Sequence, residues 1–355
     1  MMKKIPTTII TGFLGAGKTT LVRHLLEHSN NQRLALIINE FGELGIDGEL
    51  LQTCNEKNCH GQSIIELTNG CICCTVAEEF TPAIETILNQ NPQPDHIVIE
   101  TSGLALPQPL VRAFNWPEIK SQVTVDGVVV VVDGPALSNG QFASDLKAIK
   151  QQRANDEELN HETPLAELFE DQLACGDLII LNKTDQLTSD TTTQLIQQLD
   201  HATREGVRVL KATMGAIEPS VLLGLDMATE NDLLVRQEIH HTHHDESVHQ
   251  VHDHDEFESW VVELPSFTHL EHLKQVIKKA IVDFNILRVK GFSAINGIPR
   301  QLVLQAVGPR IDCYYDRPFR PDEEFSTKLV FISEAGVDKI KLSRQLNESA
   351  TQCTL

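Results

Sequence analysis

The sequence predicts an α/β fold, in which a mostly parallel sheet with flanking helices is followed by a smaller C-terminal α+β domain. Continuous apolar runs such as IVIE, VVVVVD and LIILN suit strands that are buried on both faces of a parallel sheet. Helical stretches lie between these runs, and this alternation is typical of a parallel sheet covered by helices. A change of composition near residue 226 ends the pattern.

The elements of the first domain, residues 1–225, are predicted from local patterns. The predicted strands are 7–11, 34–39, 64–68, 96–100, 127–133, 178–182 and 207–211. The predicted helices are 19–27, 82–90, 165–174 and 191–202.

The rest of the chain divides by composition. Seven of the 15 histidines lie between His240 and His254, and no hydrophobic periodicity remains there. Residues 226–256 are therefore predicted to form a histidine-rich linker. Strand-like runs resume at Phe257, and a helical run covers 270–284. These features predict the smaller α+β domain over residues 257–347 and a tail over 348–355.

The acidic composition limits the expected partners. The 355 residues include 50 acidic and 29 basic side chains, a formal net charge of −21. Nucleic acid and anionic membrane surfaces carry charge of the same sign, so neither is expected as a partner. The N-terminal segment lacks signal-peptide features, and the apolar run at 125–134 is shorter than the roughly 20 residues that span a bilayer. We expect a cytoplasmic protein, and the sequence does not indicate its oligomeric state.

A phosphate-binding pattern, G-x-x-x-x-G-K-[ST], follows the first strand as GFLGAGKTT. Glycines let backbone N–H groups turn towards phosphates, the lysine reaches the β- and γ-phosphates, and the threonine hydroxyl coordinates Mg²⁺. Because a strand precedes the pattern and a helix follows it, the first domain is predicted to be a P-loop nucleoside triphosphatase. The predicted nucleotide-binding residues here are Gly12, Gly15, Ala16, Gly17, Lys18, Thr19 and Thr20, with Lys18 and Thr19 also catalytic.

A guanine-binding pattern, N-K-x-D, ends a later strand with Asn182, Lys183 and Asp185. The Asp185 carboxylate can accept hydrogen bonds from the N1–H and 2-amino groups of guanine. Adenine lacks this donor pair and would leave the carboxylate unpaired. The sequence therefore predicts GTP as the nucleotide.

Two further segments resemble nucleotide-sensing loops. In IVIETSG, Glu100 ends an apolar strand where P-loop enzymes place the acid that holds Mg²⁺, and it is the third predicted catalytic residue. Gly103 would lie near the γ-phosphate. Glu100 is longer than the commoner aspartate, which favours contact through water. Residues 38–47, INEFGELGID, are rich in acids and glycines and are predicted to be a switch loop.

A cysteine cluster, NGCICC, places Cys71, Cys73 and Cys74 within four positions. Thiolates bind Zn²⁺ and other borderline divalent ions tightly, and three sulfurs leave a fourth position for which Glu40 is the candidate. Reduced thiols without metal and a redox role stay open as alternatives. Cys54 and Cys59 form either a loop metal site or a surface loop, and the histidine tract either captures metal weakly or is a polar linker.

With GFLGAGKTT, NGCICC, ETSGL and NKTD in this order, the sequence resembles the CobW family of metal-handling GTPases. NEFGELGID, FEDQLACGDLII, ILRVKGF and YYDRPF extend the resemblance over nearly the whole chain. It implies a slow, Mg²⁺-dependent GTPase in which GTP assembles a divalent-metal site at the three cysteines. Hydrolysis would then release the ion to a client metalloenzyme.

The resemblance further implies Co²⁺ as cargo for cobalamin biosynthesis, with cobaltochelatase as a candidate client. Zn²⁺ is the alternative cargo, because other members of the family look like zinc chaperones. Two functions of other classes stay open: a non-enzymatic metal buffer or sensor, and a small-molecule kinase built on the same phosphate loop.

Overall fold

The computed structural model describes residues 4–29, 32–39, 63–67, 80–145, 149, 165–231, 257–308, 310–320 and 323–351. The chain divides into two compact units, Met1–Val248 and His249–Leu355. No helix within the described residues is long and apolar enough to cross a membrane.

The first unit is built on a seven-stranded parallel sheet. Its strands are β1 (Ile5–Thr11), β2 (Leu34–Asn39), β3 (Ser63–Leu67), β4 (His96–Glu100), β5 (Val123–Asp133), β6 (Leu178–Asn182) and β7 (Arg208–Lys211). Their order across the sheet is β3-β2-β4-β1-β5-β6-β7, and every neighbouring pair is parallel. The carboxyl ends of the strands therefore meet at one edge, where ligands of such sheets bind.

Helices flank this sheet. They are α1 (Lys18–Glu27), α2 (Thr81–Leu88), α3 (Pro107–Ala113), α4 (Gly134–Ser138), α5 (Leu165–Cys175), α6 (Ser189–Ala202) and α7 (Pro219–Leu222). The predicted α/β fold class is confirmed, and three strands have the predicted bounds. Strand β5 begins four residues before the predicted start at 127, because Val123 and Val125 are buried and continue its apolar face. Helix α3 was not predicted, since its sequence, PQPLVRA, has prolines at its first and third positions, which fit a first helical turn but interrupt any longer pattern.

The last described residues of the first unit are held by buried carboxylates. Asp126 accepts a hydrogen bond from the backbone N–H of Asp226 at 2.7 Å, and Asp177 accepts one from the Thr229 hydroxyl, also at 2.7 Å. Residues 226–231, which the sequence analysis places in the linker, thus pack against the first unit. The apolar pattern gave no sign of this, because the segment buries a single large apolar side chain, Met227, and its other contacts are polar.

The second unit contains a five-stranded antiparallel sheet. Its strands are β8 (Phe257–Leu264), β9 (Arg288–Ser293), β10 (Arg300–Val307), β11 (Arg310–Pro318) and β12 (Thr327–Glu334), and its helices are α8 (Leu270–Asp283) and α9 (Lys339–Thr351). The strand order is β11-β10-β9-β12-β8, and each neighbouring pair is antiparallel. Both helices contribute buried side chains to a core on one face, which confirms the predicted α+β architecture. Strand β11 was not predicted, since its residues alternate between exposed and half-buried and form no apolar run.

Candidate nucleotide-binding site

The phosphate loop connects β1 to α1 at the carboxyl edge of the first sheet. Gly12 has a φ of +135°, and a Cβ there would lie 2.1 Å from the carbonyl oxygen of Val131 on β5. Only glycine fits this position, because the loop must pass directly over the neighbouring strand. Phe13, which follows, is buried against Phe142 and Phe169 with ring centroids 5.7 and 6.0 Å away. The loop is therefore anchored by apolar packing.

The lysine of the loop is buried and points back across it. The Lys18 ammonium donates a hydrogen bond to the carbonyl oxygen of Phe13 at 3.2 Å. This contact places a positive charge inside the ring of backbone that precedes α1. The N-terminus of α1 adds a partial positive charge at the same place, so the geometry suits a bound phosphate.

Thr19 and Glu100 are brought together from separate elements. The Thr19 hydroxyl, in the first turn of α1, donates a hydrogen bond to Oε1 of Glu100 at 2.8 Å. Glu100 ends β4 and is only 5% exposed. A hydroxyl and a carboxylate at the phosphate end of the sheet are hard oxygen donors, which suit Mg²⁺.

The loop after β4 lies against the phosphate loop. A Cβ on Gly103 would come within 2.6 Å of the backbone nitrogen of Leu14. Thr101 donates its hydroxyl proton to the Thr11 hydroxyl at 3.0 Å, and its backbone N–H bonds to the carbonyl oxygen of Ile10 at 2.9 Å. The loop that carries Gly103 therefore lies directly against the phosphate loop, and its contact with a γ-phosphate stays a prediction.

Two glutamines that the sequence analysis missed hold this loop from the other side. The buried Gln172, on α5, donates from Nε2 to the carbonyl oxygen of Ala105 at 3.0 Å. Gln108, at the start of α3, donates to the carbonyl oxygen of Asp171 at 2.9 Å. Gln172 falls inside the FEDQLACGDLII stretch, but nothing local in the sequence reveals a partner 67 residues away.

The N-K-x-D segment follows β6 at the same edge. The Asn182 amide is buried, with Nδ2 donating to the carbonyl oxygen of Ala16 at 2.9 Å and Oδ1 accepting from the Gly215 N–H at 3.1 Å. Both polar atoms of the side chain thus bond to the protein itself. Asn182 joins the phosphate loop to the loop after β7, and direct reading of guanine by this residue stays a prediction.

Lys183 and Asp185 follow Asn182 in the same loop. Lys183 adopts a left-handed backbone conformation, φ 61°, and its ammonium pairs with the buried Asp133 carboxylate at 2.6 Å. The Asp185 side chain is exposed and accepts no hydrogen bond from the described part of the chain. An available carboxylate at this position fits recognition of a base, whereas the Lys183 contact fixes the loop that presents it.

The loop after β7 is a further part of the site that the sequence analysis missed. Thr184 bonds through its hydroxyl to the carbonyl oxygen of Ala212 at 3.0 Å. A Cβ on Gly215 would lie 2.8 Å from the backbone nitrogen of Leu21, so this loop lies directly on α1. In the local sequence, only Gly215, in the short segment TMG, could have indicated this loop.

The predicted cargo ligands Cys71, Cys73, Cys74 and Glu40 lie outside the described residues, as do Cys54, Cys59 and the histidine tract. Among the residues that the structure describes, no group of three or more His, Cys, Asp or Glu side chains could hold a metal ion. Cys175 is buried and Cys313 is half-buried, and neither forms a disulfide within the described residues.

Comparison with known proteins identifies the family. The family model for the CobW/HypB/UreG nucleotide-binding domain matches residues 6–211, and that for the C-terminal domain of the cobalamin synthesis protein CobW matches residues 257–350. A protein named zinc chaperone CobW from a Sinorhizobium species is 48% identical over 336 residues, covering 95% of this chain and 94% of that protein.

Two further relatives align over nearly their whole length. A zinc chaperone CobW from Pseudomonas aeruginosa is 46% identical over 352 residues, with 97% of this chain and 91% of that protein covered. The zinc chaperone YjiA of Escherichia coli is 30% identical over 340 residues, with 93% and 94% covered. Since the nucleotide-binding model matches more than half of the residues and these relatives align over almost the full chain, the chain belongs to the CobW/HypB/UreG family.

Proposed function

We propose that this protein is a GTP-hydrolysing metallochaperone whose cargo is Zn²⁺. The observation that carries the proposal is the hydrogen bond between Thr19 and Glu100, at 2.8 Å. It joins the phosphate loop to the strand end from which the loop containing Gly103 departs. A change at the γ-phosphate can therefore be passed to a neighbouring segment of the chain.

The proposed chemistry assigns a role to each part of the nucleotide site. Lys18 and the loop amides stabilise the negative charge that develops on the phosphates. Thr19 and Glu100 would hold Mg²⁺, which when bound neutralises phosphate charge. Asp185 selects guanine through its exposed carboxylate, and Asn182 and Lys183 keep its loop in place.

The proposed cargo differs from the Co²⁺ implied by the family resemblance. The relatives that are 48% and 46% identical to this chain are both named zinc chaperones. Thiolate sites also bind Zn²⁺ more tightly than Co²⁺ in the usual affinity order. Cys71, Cys73 and Cys74, with Glu40, are proposed to hold the ion in the GTP state, and a client metalloenzyme is proposed to receive it.

We also propose limits for the domains of the chain. Residues 1–225 would form the GTPase domain, with the first residues of the linker 226–256 packed against it, and residues 257–347 the C-terminal domain. Helix α9 continues to Thr351 and so includes the first four residues of the predicted tail 348–355. Support comes from the two matched family models, which leave residues 212–256 between them.

A competitive metal titration tests the cargo and the coupling together. Zn²⁺ and Co²⁺ are titrated against a chromophoric chelator, with the protein loaded with GTP·Mg²⁺ or GDP·Mg²⁺. We expect tighter Zn²⁺ than Co²⁺ binding, and Zn²⁺ binding about tenfold or more weaker in the GDP state, a coupling of roughly 1.4 kcal/mol. Equal Zn²⁺ affinity in both nucleotide states would refute the chaperone cycle.

Measurement of phosphate release distinguishes the proposed GTPase from the two alternative functions, the metal buffer or sensor and the small-molecule kinase. Multiple-turnover release of phosphate from GTP into water would rule out a buffer or sensor that holds nucleotide as a structural ligand. Transfer of the phosphoryl group to a small-molecule acceptor, in place of water, would favour the kinase.

A further inference from the structure

Met214 lies at the tip of the turn that follows β7. The Ala216 N–H donates to the carbonyl oxygen of Thr213 at 3.0 Å and closes a four-residue turn. The two central residues, Met214 and Gly215, have φ values of 54° and 67°. Positive φ at both central positions is the pattern of a type I′ turn, which favours glycine, asparagine and aspartate. A methionine at the first central position is therefore strained.

The Met214 side chain is also open to solvent. It is 67% exposed, whereas Met227 in the same unit is 7% exposed. A single exposed apolar side chain is ordinary on a protein surface. One whose backbone is also strained stabilises neither the core nor the turn. Such a residue points to a function, because backbone strain of this kind is found mainly at ligand-binding and active sites.

The turn that carries Met214 is fixed to the framework of the phosphate loop. A Cβ on Gly215 would lie 2.8 Å from the backbone nitrogen of Leu21 in α1. The Gly215 N–H donates to Oδ1 of Asn182 at 3.1 Å, and Nδ2 of Asn182 donates to the carbonyl oxygen of Ala16. The position of the turn is therefore set by the same contacts that support the phosphate loop.

The same turn adjoins the loop that carries Asp185. The Thr184 hydroxyl donates to the carbonyl oxygen of Ala212 at 3.0 Å, and the Thr184 N–H donates to the same oxygen at 3.2 Å. A nucleotide with its phosphates in the phosphate loop and its base at Asp185 extends along the segment that contacts both. Met214 is the large apolar side chain that this turn exposes there.

We propose that the Met214 side chain packs against the face of the bound purine and contributes affinity to the guanine site. This inference rests on the proposed function, since it takes Asp185 as the residue that reads the edge of the base. A thioether is polarisable, and its unbranched chain adapts to a flat aromatic ring. Every base has such a face, so Met214 adds affinity for purines in general and Asp185 adds the selectivity for guanine.

Oxidation of the full-length protein by hydrogen peroxide tests this contact. Peroxide converts an accessible methionine to its sulfoxide. The tryptic peptide 212–236 contains both Met214 and Met227, and fragment ions separate the two positions. Rates are measured for the protein alone, with GDP·Mg²⁺, and with inorganic pyrophosphate·Mg²⁺, which offers the phosphate loop a ligand without a base.

We expect saturating GDP to slow oxidation of Met214 about tenfold, because only the nucleotide-free fraction reacts. Pyrophosphate should leave the rate within about twofold of that of the free protein, and the buried Met227 should react equally in all three samples. Equal protection of Met214 by pyrophosphate and GDP would overturn the proposal, since it would assign the protection to the phosphates.

Two variants supply an independent readout. Glycine accepts a positive φ and lacks the side chain. Met214→Gly should therefore bind GTP and GDP each about tenfold more weakly, while its urea unfolding midpoint stays equal or rises. A purely structural residue would not combine weaker binding with an unweakened fold. Met214→Leu keeps an apolar side chain and should retain most of the affinity. Unchanged GTP and GDP affinity in Met214→Gly would overturn the proposal.

Calorimetric titration with GDP distinguishes this inference from the proposed function. GDP that binds while Met214 is oxidised at its free rate would overturn the contact and leave the guanine site intact. No binding of GDP would overturn both. Protection of Met214 in a protein that shows no coupling between nucleotide and Zn²⁺ would refute the chaperone cycle and support the contact.

Discussion

Nδ2 of Asn182 donates a 2.9 Å hydrogen bond to the carbonyl oxygen of Ala16, which ties the end of β6 to the phosphate loop across 166 residues of sequence. The same amide accepts a hydrogen bond from Gly215. Three loops at the carboxyl edge of the sheet thus share one buried side chain. Because Asn182 supports these loops, its replacement should have a different effect from that expected if Asn182 only recognised the base.

Replacing Asn182 by alanine should weaken binding of GTP and ATP by similar factors, because the phosphate loop loses its support. The protein should also lose about 1–3 kcal/mol of stability, since two buried backbone groups are left without partners. Urea unfolding and nucleotide titration measure the two effects. Asn139→Ala, at an exposed asparagine in the same unit, should change neither. A selective loss of GTP binding with ATP binding intact would instead assign Asn182 to the base.

Asp185→Asn should relax the preference for guanine without harming the fold, because the carboxylate is exposed. The ratio of GTP to ATP affinity should fall roughly a hundredfold, as two hydrogen bonds to a charged acceptor are lost. Xanthosine triphosphate should gain affinity, since its 2-oxo group can accept from the new amide. Asp190→Asn, on α6, is the matched control. If the variant kept its full preference for GTP over ATP, the assignment of Asp185 to guanine would fail.

Glu100→Gln should slow GTP hydrolysis about a hundredfold, because a neutral amide holds Mg²⁺ and its water less well than a carboxylate does. GTP binding measured in EDTA should be unchanged, since Lys18 and the loop amides still hold the phosphates. Single-turnover hydrolysis and binding assays give the two numbers. Glu85→Gln, at an exposed position on α2, should hydrolyse GTP normally, and a normal rate for Glu100→Gln would remove this residue from the catalytic set.

The triple replacement of Cys71, Cys73 and Cys74 by alanine should abolish tight Zn²⁺ binding, a loss of at least about two orders of magnitude, while GTP binding persists. Cys313→Ser is the control. Burial raises the pKa of the Cys313 thiol to about 11, so it is protonated at neutral pH and ligates metal poorly. The metal titration described above measures both variants. Unchanged Zn²⁺ affinity in the triple variant would place the cargo elsewhere.

Acid should weaken the second unit through Glu323. Hydrogen bonds from the Arg317 side chain and then from the Arg320 N–H lower the pKa of Glu323 from 4.5 to about 2. A carboxyl with a depressed pKa in the folded state stabilises the fold above its unfolded value, and this contribution is lost as the pH falls from about 4.5 towards 2. The Glu323→Gln protein should therefore show a shallower decline in unfolding free energy over that range. The control, Glu324→Gln, should retain the steeper slope of the unmodified sequence. Identical slopes for Glu323→Gln and the unmodified sequence would show that the Arg317–Glu323 pair does not contribute to stability.

Much of the first unit could be predicted from local patterns, because consecutive residues specify several of its strands and its phosphate loop. The strands at 34–39, 96–100 and 178–182 are short apolar runs that end in polar residues. The phosphate loop is a contiguous motif that its own residues reveal, although Gly12 is also required by the close approach to Val131. These elements need no knowledge of distant partners.

The connections between the motifs could not be predicted in this way. Asn182 matched a guanine-binding pattern, yet its hydrogen bonds go to Ala16 and Gly215. Gln172 lies in an ordinary amphipathic helix, and its role depends on a carbonyl 67 residues away. Contacts of this kind depend on the order of the strands in the sheet, which local patterns in a single sequence do not reveal. The cysteine cluster and Glu40 lie outside the described residues and stay predictions.

The ion pair between Lys183 and Asp133 has a consequence for how a nucleotide signal can arise. Together with the Asn182 bonds, it holds the loop that carries Asp185 by contacts within the protein. If Asp185 reads the base as proposed, this loop would contribute equally to GTP and GDP affinity, and a contribution common to both ligands shifts no equilibrium between them. In the proposed cycle, the linkage between nucleotide and cargo would then arise on the γ-phosphate side, at the loop that Gln172 holds at Ala105. Affinity for the base and control of the metal would in that case be separable by substitution.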